Sequence, residues 1–431
     1  MSSTMADFSL LSNDSYYRAT AGTDSHAALS EPADAAICIV GGGFAGLATA
    51  LSLIERGERN VVVLEAQTVG YGASGRNGGF VFGGYSLGER GLAASVGVAE
   101  ARKLYQLTLD AVSLIRQRID KYKIACDARY AGVYLANWFD DDRLLDVQQR
   151  FMSDTLGVEW QRCSRKELAE RLNSQRYFGG LFEANAFHFH PLKYAQGVAR
   201  AIVAGGGRVH EQSRVTQIVA DGAGWRVVTP AGQVKAREVV ICCGGYIERL
   251  YPALASAILP IATYVMVTEP LGERLQAAMQ TGAAVYDTRF AFDYYRPLPD
   301  TRLLWGGRIS IRERGAPEVA RLLYADMLKV YPQLAGTRVD YAWSGLMSYG
   351  QHKMPQLGRL PNGLWYGMGF GGHGVGPTTL AGELLARGLT GDAVALHGFA
   401  PWGLPGTGGA AGLLAAQLVY WYYELRDWLR E

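Results

Sequence analysis

The chain has 431 residues, a formal charge of +2 at pH 7, and 49% hydrophobic against 19% charged residues. That balance describes a globular protein of roughly two or three domains and excludes a disordered chain. Charge this close to neutral makes no electrostatic case for nucleic acid or an acidic membrane surface.

Residues 1–34 are polar and read as an extended N-terminal arm. They lack the basic stretch followed by an apolar one that marks a signal peptide, so a cytoplasmic location is expected. Ala36–Val40 is an apolar strand. It runs into Gly41-Gly42-Gly43-Phe44-Ala45-Gly46, then into a helical pattern with Leu47, Leu51 and Ile54 on one face and Gly57 at its end. Val61–Leu64 is a second strand, closed by Glu65. This is a strand–helix–strand unit with a dinucleotide fingerprint. Gly41 permits the tight turn, Gly43 lets a pyrophosphate approach the backbone, and Gly46 lets helix and strand pack closely. The helix N-terminus offers free N–H groups to phosphate. A carboxylate at Glu65 suits ribose hydroxyls and disfavours NADP, which leaves NAD and FAD open.

Val69–Gly84 is a glycine-rich loop, and helical patterns fill roughly 89–122. Strand-like alternation appears near Gly132–Leu135 and Tyr177–Phe189, and Leu192–Ala204 reads as a helix. From Arg208 to Cys243 the period is two, with turns at Asp221-Gly222 and Pro230-Ala231-Gly232. A β-rich stretch follows over 260–310, then a helix near Pro317–Val330. Trp343–Gly376 is punctuated by glycine, and helices follow near Pro377–Leu389 and Ala410–Leu429. No run reaches the roughly 18 apolar residues of a membrane span. Gly409–Tyr423, broken by Gln417, reads as a terminal helix packed on the protein, with an interfacial membrane helix as the alternative. The five cysteines, Cys38, Cys126, Cys163, Cys242 and Cys243, form no C-x-x-C pair, and the odd count argues against a disulfide framework. His188 and His190 have no nearby Cys partner, so no metal is expected.

The run Val40–Gly46, then Glu65, then Gly72-Ala73-Ser74-Gly75-Arg76-Asn77-Gly78-Gly79-Phe80 resembles the D-amino-acid-oxidase-like flavoproteins. The stretches Ser15–Thr20 and Ala73–Gly79 look most like its gamma-glutamylputrescine oxidase branch. Val239–Tyr246, Tyr294–Pro297 with Arg302–Gly307, and Gly369–Gly376 resemble further family segments in the same order. The resemblance implies FAD. It also implies an α/β (α+β overall) fold, in which a Rossmann-type FAD-binding domain (35–90, 190–255 and 342–431) interleaves with a β-sheet-rich substrate domain (91–189 and 256–341). Some relatives attach flavin through a Cys near the stretch that here reads Gly345-Leu346-Met347-Ser348, so non-covalent FAD is expected.

The cofactor is assigned Gly41, Gly43, Phe44, Ala45, Gly46, Glu65 and Ala66 in the first unit. Ser74, Arg76, Asn77 and Gly78 follow in the loop, then Val215 and Gly244. Gly372, His373, Gly374, Val375, Gly376 and Thr378 complete the set at a helix start that can stabilise charge on a reduced flavin. For catalysis, Arg296 is a candidate partner for a substrate carboxylate or for Asp293. Tyr294 and Tyr295 alternate, so one of them faces the flavin, and Tyr295 is taken as a candidate beside Tyr264 and His373. Asp293 could hold a distal ammonium, and Lys353 or His352 could assist oxygen reduction. The implied activity is hydride transfer from the C–N bond of a small amine or amino acid to flavin N5, of the gamma-glutamylputrescine oxidase type. The acceptor would be O2 or another oxidant. The alternatives are a secondary or cyclic amino acid of the pipecolate, proline or sarcosine type as substrate, or a quinone-linked dehydrogenase.

Overall fold

The computed structural model describes residues 8, 10–12 and 14–431. Residues 1–7, 9 and 13 of the expected arm lie outside the described residues. Within the arm, residues 15–20 are folded in, while 22–30 carry no helix or strand and are mostly exposed. Ser15 caps a short helix, Tyr16–Thr20, and Tyr17 is buried with its ring against Trp343 and His190.

The strand–helix–strand unit forms as its pattern predicts: Ala33–Val40, Phe44–Glu55 and Val61–Leu64. Its strands are apolar on both faces and take the centre of an eight-stranded sheet, as buried parallel strands do. The main path of that sheet runs Gln356–Arg359, Trp365–Met368, Gln233–Ile241, Ala33–Val40, Val61–Leu64, Arg208–His210. It is parallel except for the first strand. Ile37, Ile39, Val61 and Val63 face the helices Phe44–Glu55, Pro191–Ala204 and Val375–Leu389. Cys38, Val40, Val62 and Leu64 face the other way, toward the hairpin Gln217–Asp221/Gly224–Val228 and the segment 247–258.

A second, nine-stranded sheet is mostly antiparallel. Its order is Phe370–Gly371, Val339–Tyr349, Leu259–Thr268, Leu303–Ser310, Tyr294–Pro297, Ala284–Asp287, Val133–Ala136, Gly180–Glu183, Gln161–Cys163. Helix Ala316–Val330 covers its outer face with Val319, Leu323 and Met327, against Met266, Tyr295 and Trp305.

Two domain boundaries need correction. Val339–Tyr349 is one continuous strand of the nine-stranded sheet, so the return to the nucleotide half falls after 349 rather than at 341/342. Helix Val98–Lys121 lies in the stretch assigned to the substrate domain, yet it packs on helix Val375–Leu389. Its buried Arg118 pairs with Glu55 at 2.7 Å, at the end of the first helix, which fixes it to the nucleotide half. Helices Asp142–Arg150 and Arg165–Leu172 appear where no element was read.

The last helix, Gly409–Trp428, is inverted in polarity. Gln417, Tyr420 and Asp427 face inward, while Leu414, Leu418, Trp421 and Leu425 are exposed. No helix among the described residues is long and apolar enough to cross a membrane.

Candidate active site

The glycine loop sits at the carboxyl end of the central strand. Gly41 has φ +112°, and a Cβ there would come within 2.7 Å of the Cys242 carbonyl oxygen. A Cβ on Gly46 would lie 2.0 Å from the Gly41 carbonyl oxygen, which is the close helix–strand approach the motif requires. A Cβ on Gly43 would meet Ser74 Oγ at 3.0 Å, in the space left open before the helix N-terminus. Phe44 N donates to Ser74 Oγ at 2.8 Å. Glu65 accepts from Gly42 N at 2.7 Å and from Gln67 N at 2.9 Å. Burial pushes the Glu65 carboxyl pKa up, and these backbone N–H groups act against that.

From this loop a single cavity of about 1580 Å³ extends between the two sheets. That exceeds a small-molecule site, typically ~300–1,000 Å³, and leaves room for a dinucleotide together with a second ligand. Its nucleotide end is lined by Gly41, Gly43, Phe44, Ala45, Glu65 and Ala66. Ser74, Asn77 and Gly78 continue the wall from the loop, with Val215 and Gly244 opposite. Gly372, His373, Gly374, Val375, Gly376 and Thr378 line it at the start of helix Val375–Leu389. The cradle of bare glycine backbone, two helix N-termini and a ribose-side carboxylate fits the chemistry of FAD.

Gly46 and Arg76 stand apart from this wall. Gly46 is packed under Gly41. Arg76 donates to the carbonyls of Tyr71 and Ser344 and does not line the cavity, so the proposed phosphate or flavin contact gives way to a role in holding the loop.

Of the five catalytic candidates, His373 and Lys353 line the cavity. Burial lowers the His373 pKa to about 4, so the imidazole is neutral, and its ring meets Phe82 edge-on at 4.2 Å. Lys353 sits at φ +60°, an uncommon conformation for a lysine.

The other three are corrected. Tyr295 points to the outer face of the nine-stranded sheet and stacks on Trp305 at 4.3 Å. Strand alternation gives the cavity Tyr294 instead. Tyr264 faces the same outer side, donating to the Arg312 carbonyl and accepting from Arg314 Nε. Arg296 is 2% exposed and held by four hydrogen bonds. It donates to Gly78 O at 2.6 Å, Phe189 O at 2.9 Å, Tyr17 Oη at 3.0 Å and His188 Nδ1 at 3.3 Å. Four of its five N–H groups are taken and the residue does not line the cavity, so it is not placed to receive a substrate carboxylate. Asp293 pairs with Arg289, which also closes on Asp287, and not with Arg296, and His352 does not line the cavity.

Sequence reasoning missed several cavity residues. Phe82 and Tyr286 stack at 5.5 Å and wall the cavity beside His373. Arg308, Gln417 and Tyr420 also line it, and Gln417 Oε1 accepts from Ile311 N at 3.1 Å, which seats the last helix against this part of the wall. The break in the apolar run at Gln417 was the signal for an inward polar contact. The buried carboxyl of Glu183, pushed up to about 8 by burial, lies near Gly83 behind this wall. Among the described residues no group of acids, histidines and cysteines could hold a metal ion.

Fold and cavity together define a dinucleotide-dependent oxidoreductase. The model for the DAO family of FAD dependent oxidoreductases matches residues 36–387, and the chain belongs to that family. It is 37% identical to the gamma-glutamylputrescine oxidoreductase of Escherichia coli (strain K12), over 96% of this chain and 98% of that one. It is 33% identical to the probable oxidoreductase OrdL of Haemophilus influenzae, over 93% of each. Among solved structures, glycine oxidase from Geobacillus kaustophilus superposes with a TM-score of 0.71 at 21% identity, covering 86% of this chain and 99% of that one.

Proposed function

We propose that this enzyme oxidises the C–N bond of the free amine of an elongated amine of the gamma-glutamylputrescine type, with non-covalent FAD as acceptor. The observation that carries this reading is the single cavity running from Glu65 past Gly372 to the aromatic wall of Phe82, Tyr286 and Tyr294. The 37% identity to a gamma-glutamylputrescine oxidoreductase supports the substrate class. The burial of Arg296 off the cavity wall also favours an amine over an α-amino acid, because that strand then presents no guanidinium to an α-carboxylate in the cavity.

When bound, FAD supplies the acceptor for a hydride at N5. The chain does the rest. Glu65 and the backbone of Gly41 and Gly43 would hold the nucleotide, and Ser74, Asn77 and Gly78 would line the cofactor beyond it. Phe82, Tyr286 and Tyr294 orient the amine and exclude water, which favours the neutral, reactive form of the amine. His373, neutral at working pH, neither repels an entering ammonium nor needs a counter-ion. Lys353 places a positive charge in the cavity, where it can aid reduction of oxygen. Cys242 and Cys243 lie beside Gly41 at the nucleotide end, and burial pushes both thiols up, so they stay protonated and unreactive toward the cofactor.

The test is an anaerobic titration of the FAD-loaded protein with gamma-glutamylputrescine, watching the visible flavin absorbance. Bleaching followed by recovery in air is the expected result. Absence of bleaching with this compound, together with bleaching by L-proline or sarcosine, would replace the reading with an amino-acid oxidase.

A further inference from the structure

Arg308 stands where the nine-stranded sheet departs from regular pairing. Strands Leu259–Thr268 and Leu303–Ser310 pair Tyr264 with Gly307 and Thr263 with Ile309, so Arg308 is an extra, bulged residue. Its φ is +56°, although two glycines, Gly306 and Gly307, stand immediately before it. A long side chain holds that conformation only where its surroundings enforce it, and such strain gathers at functional sites. Bulges beside sites also re-aim a side chain.

Here the enforcing contacts are visible. Thr263 Oγ1 donates to the Arg308 carbonyl at 3.0 Å. Arg308 Nε and Nη2 donate to the two oxygens of Asp326 at 2.6 and 2.9 Å. Nη1 has no hydrogen-bond partner among the described residues, and the residue lines both the main cavity and a small pocket beside Tyr264. Asp326 is buried and also lies 3.5 Å from Lys329 Nζ, so two cations share this carboxylate, and Asp293 is close enough to act on Arg308 as well. The neighbouring Arg289 differs, since Asp287 and Asp293 both engage it.

Arg308 also lies at a defined place along the cavity. The Tyr294 ring packs over both Gly78, in the cofactor loop, and Gly306. Arg308 is two residues beyond Gly306, roughly 6–7 Å along a strand that rises ~3.3 Å per residue. Tyr294 therefore stands between the cofactor loop and Arg308. An α-amino acid, with its carboxylate on the carbon that reacts, is too short to reach from one to the other.

We propose that Arg308, braced by Asp326, receives a carboxylate at the far end of an elongated amine substrate whose reacting amine lies at the cofactor. The proposal rests on the amine-oxidising reading above. It makes Arg308 a specificity residue, selecting acyl-diamines that carry a distal carboxylate over those that do not.

The test compares gamma-glutamylputrescine with N-acetylputrescine, which keeps the aminobutyl arm and lacks the carboxylate. The wild-type enzyme and the variants Arg308→Lys and Arg308→Gln are assayed as FAD-loaded protein. Losing a charged hydrogen bond to the carboxylate predicts a drop of about 10- to 100-fold in the ratio of kcat/KM between the two substrates, carried by KM. Arg308→Lys, which keeps a cation beside Asp326, retains the fold and gives an intermediate ratio. An equal loss on both substrates would overturn the proposal. A second readout is independent of turnover: glutarate, titrated into the FAD-loaded protein, perturbs the flavin spectrum of the wild type and not of Arg308→Gln. If neither amine is oxidised but glutarate still discriminates, the amine reading falls and the carboxylate site stands. If glutarate perturbs both proteins alike, the carboxylate site falls.

Discussion

Replacing Arg296 with methionine separates a structural guanidinium from a substrate-binding one. The side chain is buried and donates to four acceptors: the carbonyls of Gly78 and Phe189, the Tyr17 hydroxyl and the neutral ring of His188. All four acceptor residues are themselves buried. Each acceptor left unpaired costs ~1–3 kcal/mol, and removing the cation relieves part of its own desolvation, so the net loss is about 3 kcal/mol. At ~2.1 cal/mol/K of unfolding entropy per residue, that lowers the melting temperature of a chain this long by roughly 3 °C. Gly78 lines the cofactor cavity, so flavin retention falls as well. The assay is a melt of the FAD-loaded protein, a flavin-to-protein ratio after gel filtration, and KM measured with FAD in excess. KM for the amine is expected to stay within about 2-fold, since no contact to substrate is lost. An unchanged melt and flavin ratio with KM raised tenfold or more would refute the reasoning and return Arg296 to substrate binding.

Gly46→Ala places a methyl 2.0 Å from the Gly41 carbonyl oxygen, so the purified variant is expected to carry little or no FAD by its visible spectrum. Burial depresses the pKa of both His188 and His190 to about 3 in the folded state. Their stabilising contribution is therefore complete above the unfolded value near 6.5 and is lost as pH falls from there toward 3. A melting series across that range should show the decline, at up to ~1.4 kcal/mol per pH unit for each histidine, and His188→Asn should flatten it. Lys353→Met is expected to slow reoxidation of the reduced enzyme by oxygen in stopped flow, while leaving anaerobic reduction by the amine within about twofold.

The nucleotide half was legible because its chemistry is local. Gly46 packs on Gly41 and Glu65 accepts from Gly42 N within one strand–helix–strand unit, so the spacing of that unit places them. Arg296 shows where that reasoning stops. It has the same strand parity as Tyr294, yet its guanidinium lies under the loop at Gly78 and Gly79, so facing inward did not make it reachable. Tyr264 and Tyr295 failed on parity, which depends on what covers the outer face, here helix Ala316–Val330. The bulge at Arg308 had no signature beyond the adjacent glycine pair. Helix Arg165–Leu172, by contrast, announces itself with the capping box Ser164–Glu167 and could have been read.

The nine-stranded sheet draws its strands from two separated stretches, 133–183 and 259–349, apart from the short strand Phe370–Gly371. Its parallel pair, Val133–Ala136 with Ala284–Asp287, joins the two across the intervening nucleotide-half segment. Gene recombination between relatives therefore meets a constraint. A single crossover in the region 184–258 would mate three strands of one parent's sheet with six of the other's. The substrate-facing layer can be inherited intact only when both stretches travel together, so specificity in such a fold is expected to diversify by point substitution more readily than by exchange of modules.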